Sequence, residues 1–262
     1  MVSIVILNYK VKGLLKNCVK SIYANTHGLD YEIIVVDNGS DDGVGEMVKK
    51  RFPKIKFIQN KDNLGFGAGN NVGIREAQGK YVAVINPDTS FKENALKKMY
   101  DFMEDHGEVG IVAPQLINPN GSVQYTRCRF PEFLMPIYRR TPLKKLGVID
   151  KKIKRYLTLD KDYSQSTKTD WIFGAILFIR KESLDQVGLY DERFFLGFED
   201  TDLCRRFWEK NYEVWYYSKT QVVHYPHRFS RKKLLSKSVK EHNLSWIKYF
   251  KKYGFKNPES QI

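Results

Sequence analysis

Three short stretches place carboxylates beside residues suited to nucleotide or metal chemistry. They are Asp37-Asn38-Gly39-Ser40 and Asn86-Pro87-Asp88, each after a β-branched run, and Phe198-Glu199-Asp200-Thr201-Asp202 at the start of a helix-like segment. A carboxylate at a strand end, such as Asp37, can accept hydrogen bonds from a ribose or a base edge. The same four residues are equally good turn chemistry. Asp88 suits a hard divalent cation, which takes one or two carboxylates and fills its shell with phosphate oxygens and water. A turn or a helix cap is the competing use. Glu199, Asp200 and Asp202 lie among Phe194, Phe195 and Phe198. Complementing a helix dipole would gain at most about 1 kcal/mol, whereas a carboxyl against apolar walls gains basicity, as a general base requires.

Other residues add to this set. His224 ends a Val-Val-His-Tyr run. A lone histidine is more often structural, but a neutral imidazole here could complete a metal shell with Asp88. Asn63 to Gly73 (NLGFGAGNNVG) is glycine-rich and opens a helix. Backbone N–H groups at such a start can approach a phosphate or a base, and tight helix–sheet packing is the alternative. The spacing matches neither the dinucleotide fingerprint nor a P-loop. Trp171 and Phe173 offer flat faces for a sugar, with room at Gly174. Core packing competes, and is the better reading for Phe173.

Elements that could position these residues alternate along the first 115 residues. Strands are expected at Ser3–Leu7, Glu32–Val36, Lys56–Gln59, Tyr81–Ile85 and Gly110–Val112, with helices at Leu14–Asn25, Val44–Phe52, Ala68–Ala77 and Asn94–Glu104. This pattern calls for a mostly parallel sheet with helices on both faces. Ligands of such sheets bind beyond the carboxyl ends of the strands, where Asn8, Asp37, Asn60 and Asn86 to Asp88 fall. The second half is less regular. Tyr125 to Lys168 reads as a basic loop or a short helical insert. Strands follow at Asp170–Arg180, Glu213–Tyr217 and Gln221–His224, and helices at Glu182–Val187, Asp200–Lys210 and Leu234–Tyr253.

With 262 residues, 42% hydrophobic and 28% charged, the chain has the composition of a globular protein able to bury a core. No apolar run approaches the roughly 18 residues of a membrane span, and the start lacks the features of a signal peptide. Cys18, Cys128 and Cys204 form no close metal-type pair and fit reduced thiols of a cytoplasmic protein. The net charge of +14 is concentrated at the C-terminus: from Leu203 onward, 14 Lys+Arg against 4 Asp+Glu give +10. Arg228, Arg231, Lys232, Lys233, Lys251 and Lys252 alternate there with Trp246, Tyr249, Phe250 and Tyr253. Such a helix could lie on an anionic membrane surface, peripherally on the inner face of the cell membrane. No nucleic-acid motif accompanies the charge.

Taken in order, VSIVILNY, VVDNGSDD, NLGFGAGNNVGI, VINPD, FFLGFEDTDLCRR and VVHY resemble glycosyltransferase family 2, the inverting transferases of the GT-A fold, over roughly residues 2–226. The sequence is most similar to the rhamnosyltransferase-like branch, where Asn-Pro-Asp replaces the usual Asp-x-Asp. The resemblance implies a nucleotide-sugar half (1–115) and an acceptor and catalytic half (116–226), followed by a basic helical tail (227–262). It implies that Asn8, Asp37, Asn38, Gly65, Asn70 and Asn86 border the nucleotide, and that Asp88 and His224 hold Mg²⁺ or Mn²⁺. Asp200 would be the general base, with Trp171, Gly174 and Glu199 facing the acceptor. The implied donor is a nucleoside diphosphate sugar, dTDP-rhamnose before a UDP-sugar. The implied acceptor is a glycan or lipid-linked glycan of cell-surface polysaccharide synthesis. Two departures stand out: Asn86 replaces a first Asp, and Asn70 replaces an Arg common in the family. A sugar-phosphate nucleotidyltransferase or a non-catalytic binding module are the alternatives, and the oligomeric state is left open.

Overall fold

The structure, a computed structural model, describes residues 1–226 and 236–262. Arg228, Arg231, Lys232 and Lys233, and the expected start of the last helix at Leu234, lie outside the described residues.

The first half alternates strand and helix as its patterning dictates. It runs β1 (Val2–Asn8), α1 (Lys12–Asn25), β2 (Tyr31–Asp37), α2 (Val44–Arg51), β3 (Lys56–Gln59), α3 (Phe66–Arg75), β4 (Tyr81–Ile85), β5 (Thr89–Phe91), α4 (Ala95–Asp105) and β6 (Val109–Ile117). Every residue of β1 and β4 is buried, which is why these strands are continuous apolar runs: a central parallel strand is covered on both faces. Side-chain alternation then divides the core. Ile4 and Ile6 meet Leu15, Val19 and Ile22 of α1, Val48 of α2 and Met99 of α4. Val5 and Leu7 meet Ile74 of α3 on the other face. The glycines of α3 serve this second contact: a Cβ at Gly69 would come within 2.7 Å of Leu7, and one at Gly73 within 2.5 Å of Val5.

The second half completes the sheet and adds an insert. β7 (Arg127–Cys128), α5 (Met135–Arg140), a 3-10 turn (Pro142–Lys145), α6 (Gly147–Tyr156) and β8 (Thr167–Lys168) occupy the stretch expected to be a loop or short helical insert. β9 (Trp171–Ile172), β10 (Ile176–Arg180), α7 (Lys181–Val187), α8 (Glu199–Glu209), β11 (Glu213–His224) and α9 (Lys237–Tyr253) follow. Among the described residues the main sheet runs β3-β2-β1-β4-β10-β6-β11-β5. β1 to β4 are parallel, as are β6 and β11, while β10 is antiparallel between β4 and β6.

Two strand expectations are corrected. The single strand expected over Asp170–Arg180 is two: β9 pairs with β7 in a separate ribbon, β10 enters the main sheet, and the chain breaks at Phe173–Ala175. The two strands expected at Glu213–Tyr217 and Gln221–His224 are one, β11, whose register with β6 shifts between Tyr217 and Gln221. Such an irregularity lets one strand change its pairing without ending.

α9 packs on the body of the protein. Tyr249 and Phe250 join Phe194 in a buried cluster, with Trp246 and Tyr253 packed against it. Lys252 is paired with Asp191 and with the fully buried Asp202 of α8, whose carboxylate also accepts from Tyr253 and Arg206. The aromatic face expected to meet a membrane therefore covers the protein's own side chains. Among the described residues no helix is long and apolar enough to cross a membrane.

Candidate active site

The carboxyl ends of β1 and β2 are tied to the glycine-rich loop by a polar knot. Asp37 is fully buried and accepts from Asn8 Nδ2 (2.7 Å), Ser40 Oγ (2.6 Å), Ser40 N (2.9 Å) and Gln59 Nε2 (2.6 Å). Burial pushes its carboxyl up, but the hydrogen bonds from Ser40, Asn8 and Gln59 outweigh this and hold it below its ordinary value. Asn38 donates to Asn63 Oδ1 and the Gly65 carbonyl, and accepts from Asn60 and Leu64. Asn38 thus fixes the loop before any ligand arrives, and Asp37 ties β1 and β3 to its own turn.

The loop is closed from the other side by the segment leading into α8. Phe66 N donates to the Phe195 carbonyl at 2.9 Å. Gly65 has φ 91°, and a Cβ there would stand 2.6 Å from that carbonyl oxygen, so the contact requires glycine. Asn71, which the sequence reading passed over, braces the same closure through the Tyr190 backbone and Glu192. Asn70 donates to the Phe66 carbonyl and leaves its buried Oδ1 without a partner.

Sheet pairing brings Asp88 and His224 together from distant parts of the chain. β5 pairs antiparallel with β11, placing His224 opposite Thr89, and Tyr225 N donates to the Asp88 carbonyl at 2.8 Å. His224 Nε2 then stands 3.4 Å from Asp88 Oδ1. Gln124 fixes the imidazole. Its amide NH₂ donates to Asn118 Oδ1 and the His224 carbonyl, which leaves Oε1 to accept from His224 Nδ1 at 2.8 Å. With the proton on Nδ1, the Nε2 lone pair points toward Asp88, the tautomer a metal ligand needs. No sequence signal singles out Gln124, which lies in an irregular stretch.

Asp88 Oδ1 is buried without a partner, and with the oriented imidazole it forms a two-residue donor set that fits a divalent cation. No cluster of three or more His, Cys, Asp or Glu able to hold a metal occurs among the described residues. The set therefore suits an ion that draws further oxygens from a diphosphate and water. Asn86 lies beside this pair, its backbone anchored to the Ala175 carbonyl.

The break between β9 and β10 positions the Asp200 carboxyl. Gly174 N donates to Asp200 Oδ2 at 3.0 Å, and a Cβ at 174 would overlap the carboxylate. Asp200 Oδ1 has no partner. Burial pushes the Asp200 carboxyl up to about 7, against the opposing hydrogen bond from Gly174. Glu199, 5% exposed, is held well above its ordinary value by burial and then by the Asp200 charge.

A cleft of about 370 Å³ is lined by Asn86, Gln124, Gly174, Glu199, Asp200 and His224. Asp88 stands against its His224 wall. A second, larger cavity of about 740 Å³ adjoins Glu199 and Asp200 and is also lined by Trp171 and Phe173. Trp171 is nevertheless buried, with Nε1 donating to the Arg129 carbonyl, and Phe173 is the more accessible of the two.

Solved structures with this architecture are GT-A glycosyltransferases. A crystal structure of GalNAc-T7 with UDP, GalNAc and Mn²⁺ matches with a TM-score of 0.64 at 16% identity, over 86% of this chain and 43% of that one. The family model of glycosyl transferase family 2 matches residues 3–187, and that of the N-terminal domain of galactosyltransferase matches residues 156–228. The chain belongs to glycosyl transferase family 2 and has the GT-A fold. It is 24% identical over 212 residues to the N-acetylglucosaminyl-diphospho-decaprenol L-rhamnosyltransferase of Mycobacterium tuberculosis, covering 74% of this chain and 66% of that protein. It is also 24% identical to rhamnosyltransferase WbbL of Escherichia coli K12, over 95% of this chain and 92% of that one. The chain thus spans slightly under two thirds of the mycobacterial relative and nearly all of the other.

Proposed function

We propose that this protein is an inverting transferase that moves a sugar, rhamnose first among candidates, from a nucleoside diphosphate to a hydroxyl of a lipid-linked glycan. One observation carries the proposal. Among the described residues, the buried carboxylate oxygens without a partner belong to Asp88, Glu199 and Asp200. An orphaned buried acceptor costs about 1–3 kcal/mol, and such a cost gathered at one site marks places where a ligand completes the bonding. The rhamnosyltransferase relatives favour the sugar, and the diphospho-decaprenol in one relative's name favours the acceptor.

The geometry supports the following division of labour. Asn8, Asp37, Asn38, Gly65 and Asn70 shape the nucleotide side, Asp37 by joining the ends of β1 and β3 to its own turn, Asn38 by rigidifying the loop and Asn70 by offering a free Oδ1. Asp88 and His224 would hold Mg²⁺ or Mn²⁺, which would offset negative charge on the diphosphate leaving group. Asp200 Oδ1 takes the proton of the acceptor hydroxyl, and a carboxyl near 7 is poised for this at neutral pH. The acceptor oxygen forms a bond to the anomeric carbon as the bond to the diphosphate oxygen breaks on the opposite face. The two electrons of that bond leave with the diphosphate, and one displacement inverts the centre. Gly174 keeps Asp200 in place, Glu199 with its unpartnered Oε2 faces the acceptor beside it, and Phe173 offers its ring to the acceptor.

The test is a thermal-shift screen of dTDP-rhamnose and UDP-sugars with and without Mn²⁺, followed by turnover of the stabilising donor. Ligand binding to the native state raises apparent stability. A metal-dependent shift with one nucleotide sugar supports the reading. Equal melting in every condition, with no turnover of any donor, refutes it.

A further inference from the structure

The larger cavity contains cations that no carboxylate answers. Arg139 and Arg140 end α5, Lys144 lies in the 3-10 turn that follows, and all three line the cavity that Glu199 and Asp200 also line. None forms an ion pair among the described residues; in the same insert Lys152 pairs with Glu132 and Lys154 with Asp150, and Lys145, Lys151 and Arg155, which also lack a pair there, do not line the cavity. The nine residues outside the description, 227–235, include no Asp or Glu. The contacts of the two arginines are neutral: Arg139 lies 5.6 Å over the Tyr156 ring, and Arg140 donates to Asn243 Oδ1 at 2.7 Å.

Their field is felt across the cavity. His242 of α9, on the same wall, is lowered to about 4, by burial first and then by Arg140 and Arg139. The imidazole therefore stays neutral and adds no further positive charge to the cavity. Two guanidiniums and an ammonium converging on one cavity match a multiply charged anion, since guanidinium forks grip phosphate oxygens in pairs. Next along the chain, Leu143, Leu146 and Val148 are 42%, 55% and 75% exposed. Exposed apolar side chains in the same segment as the cations suit a ligand that joins a phosphate to a hydrocarbon chain.

We propose that Arg139, Arg140 and Lys144 bind the phosphate groups of a lipid diphosphate that carries the acceptor glycan, with the lipid leaving over Leu143, Leu146 and Val148. The inference rests on the transferase reading, in which the acceptor hydroxyl meets Asp200 at the inner end of this cavity. It assigns acceptor recognition to the basic insert rather than to the C-terminal helix, whose aromatic face is occupied.

The probe is geranyl diphosphate, titrated calorimetrically into the full chain in EDTA, so that no divalent ion can hold a diphosphate at Asp88 and His224. The wild-type protein should bind it, and the Arg139→Gln/Arg140→Gln double variant should bind at least about tenfold more weakly, the loss of a single charge-assisted contact or more. Lys144→Gln, at an exposed side chain with no fold contact to lose, should weaken binding about threefold. Arg139→Lys should recover part of the loss, and inorganic pyrophosphate should depend on the same residues with lower affinity. Asp88→Asn, outside the lining of this cavity, should leave binding unchanged. Equal affinity in the arginine and Lys144 variants, or loss in Asp88→Asn, overturns the proposal. So does cation-dependent binding to phosphatidylglycerol vesicles without binding to geranyl diphosphate, which would make the patch a headgroup surface. Failure of nucleotide-sugar turnover would strike the transferase reading and leave these titrations intact, so the two fail separately.

Discussion

Replacing Asp200 with Asn should abolish transfer and stabilise the protein, and the second effect should exist only above acidic pH. The carboxyl ionises near 7 in the folded chain, against an ordinary value of 3.8. Between those values the native state holds a proton that the unfolded chain has released, so stability falls as pH rises through this window. Once Asp200 is fully ionised, the penalty approaches about 4 kcal/mol at 1.36 kcal/mol per pKa unit. Partial solvent contact at this half-buried side chain brings the expected figure to about 2–3 kcal/mol. Asn preserves the shape and can accept the Gly174 hydrogen bond, but carries no charge. Urea unfolding of both proteins at pH 4 and pH 8.5 reads the difference directly. The two should be equally stable at pH 4, and the variant more stable by about 2–3 kcal/mol at pH 8.5. Transfer should fall about 10²–10⁴-fold, the usual worth of a general base, and the wild-type rate should climb with pH until near 7. A variant that is inactive yet no more stable at pH 8.5 would refute the claim that burial is what tunes this carboxyl.

Three further expectations follow from named contacts. Gln124→Ala frees the His224 ring and should weaken Mn²⁺ affinity about 10–100-fold, seen as a higher metal midpoint in turnover with the fold intact; an unmoved midpoint contradicts the pairing. Gly65→Ala forces a Cβ against the Phe195 carbonyl at φ 91° and should cost about 1–3 kcal/mol, measured as a lower melting temperature. Asp202→Asn leaves Lys252 and Arg206 without their buried partner. It should cost about 3–5 kcal/mol and speed proteolytic release of the C-terminal helix, whereas native-like digestion would show that apolar packing alone holds α9.

The strand ends of the first half were legible because each signal there is local. A β-branched run followed by Asp-Asn-Gly or Asn-Pro-Asp names both a strand and the point where its polar terminus begins. The structure places Asn8, Asp37, Asn38 and Asn86 at those termini. What Asp37 does was less legible. Its four donors come from β1, β3 and its own turn, and only the pairing of β2 with both neighbours delivers them. Gln124 illustrates the same limit, since its value lies wholly in where β11 places His224. The break at Gly174 went unseen because an apolar run carries no mark of the carboxylate that must pass beside it.

The C-terminal helix shows why an amphipathic pattern identifies a face but not its cover. Trp246, Tyr249, Phe250 and Tyr253 form an apolar stripe at helical spacing, and lysines flank it. Lipid and protein both satisfy that pattern, because each removes the aromatic rings from water at similar gain per unit area. What separates them is the fate of the charges. A helix on a membrane keeps its lysines at the headgroup level. Lys252 instead turns toward two carboxylates, one of them the fully buried Asp202. A buried carboxylate without a cation would be costly, so the residue that makes the tail look membrane-seeking completes a charge that α8 had already buried. Arg139, Arg140 and Lys144, which have no such partner among the described residues, line the larger cavity, where a phosphate of the proposed acceptor can play the part that Asp202 plays for Lys252.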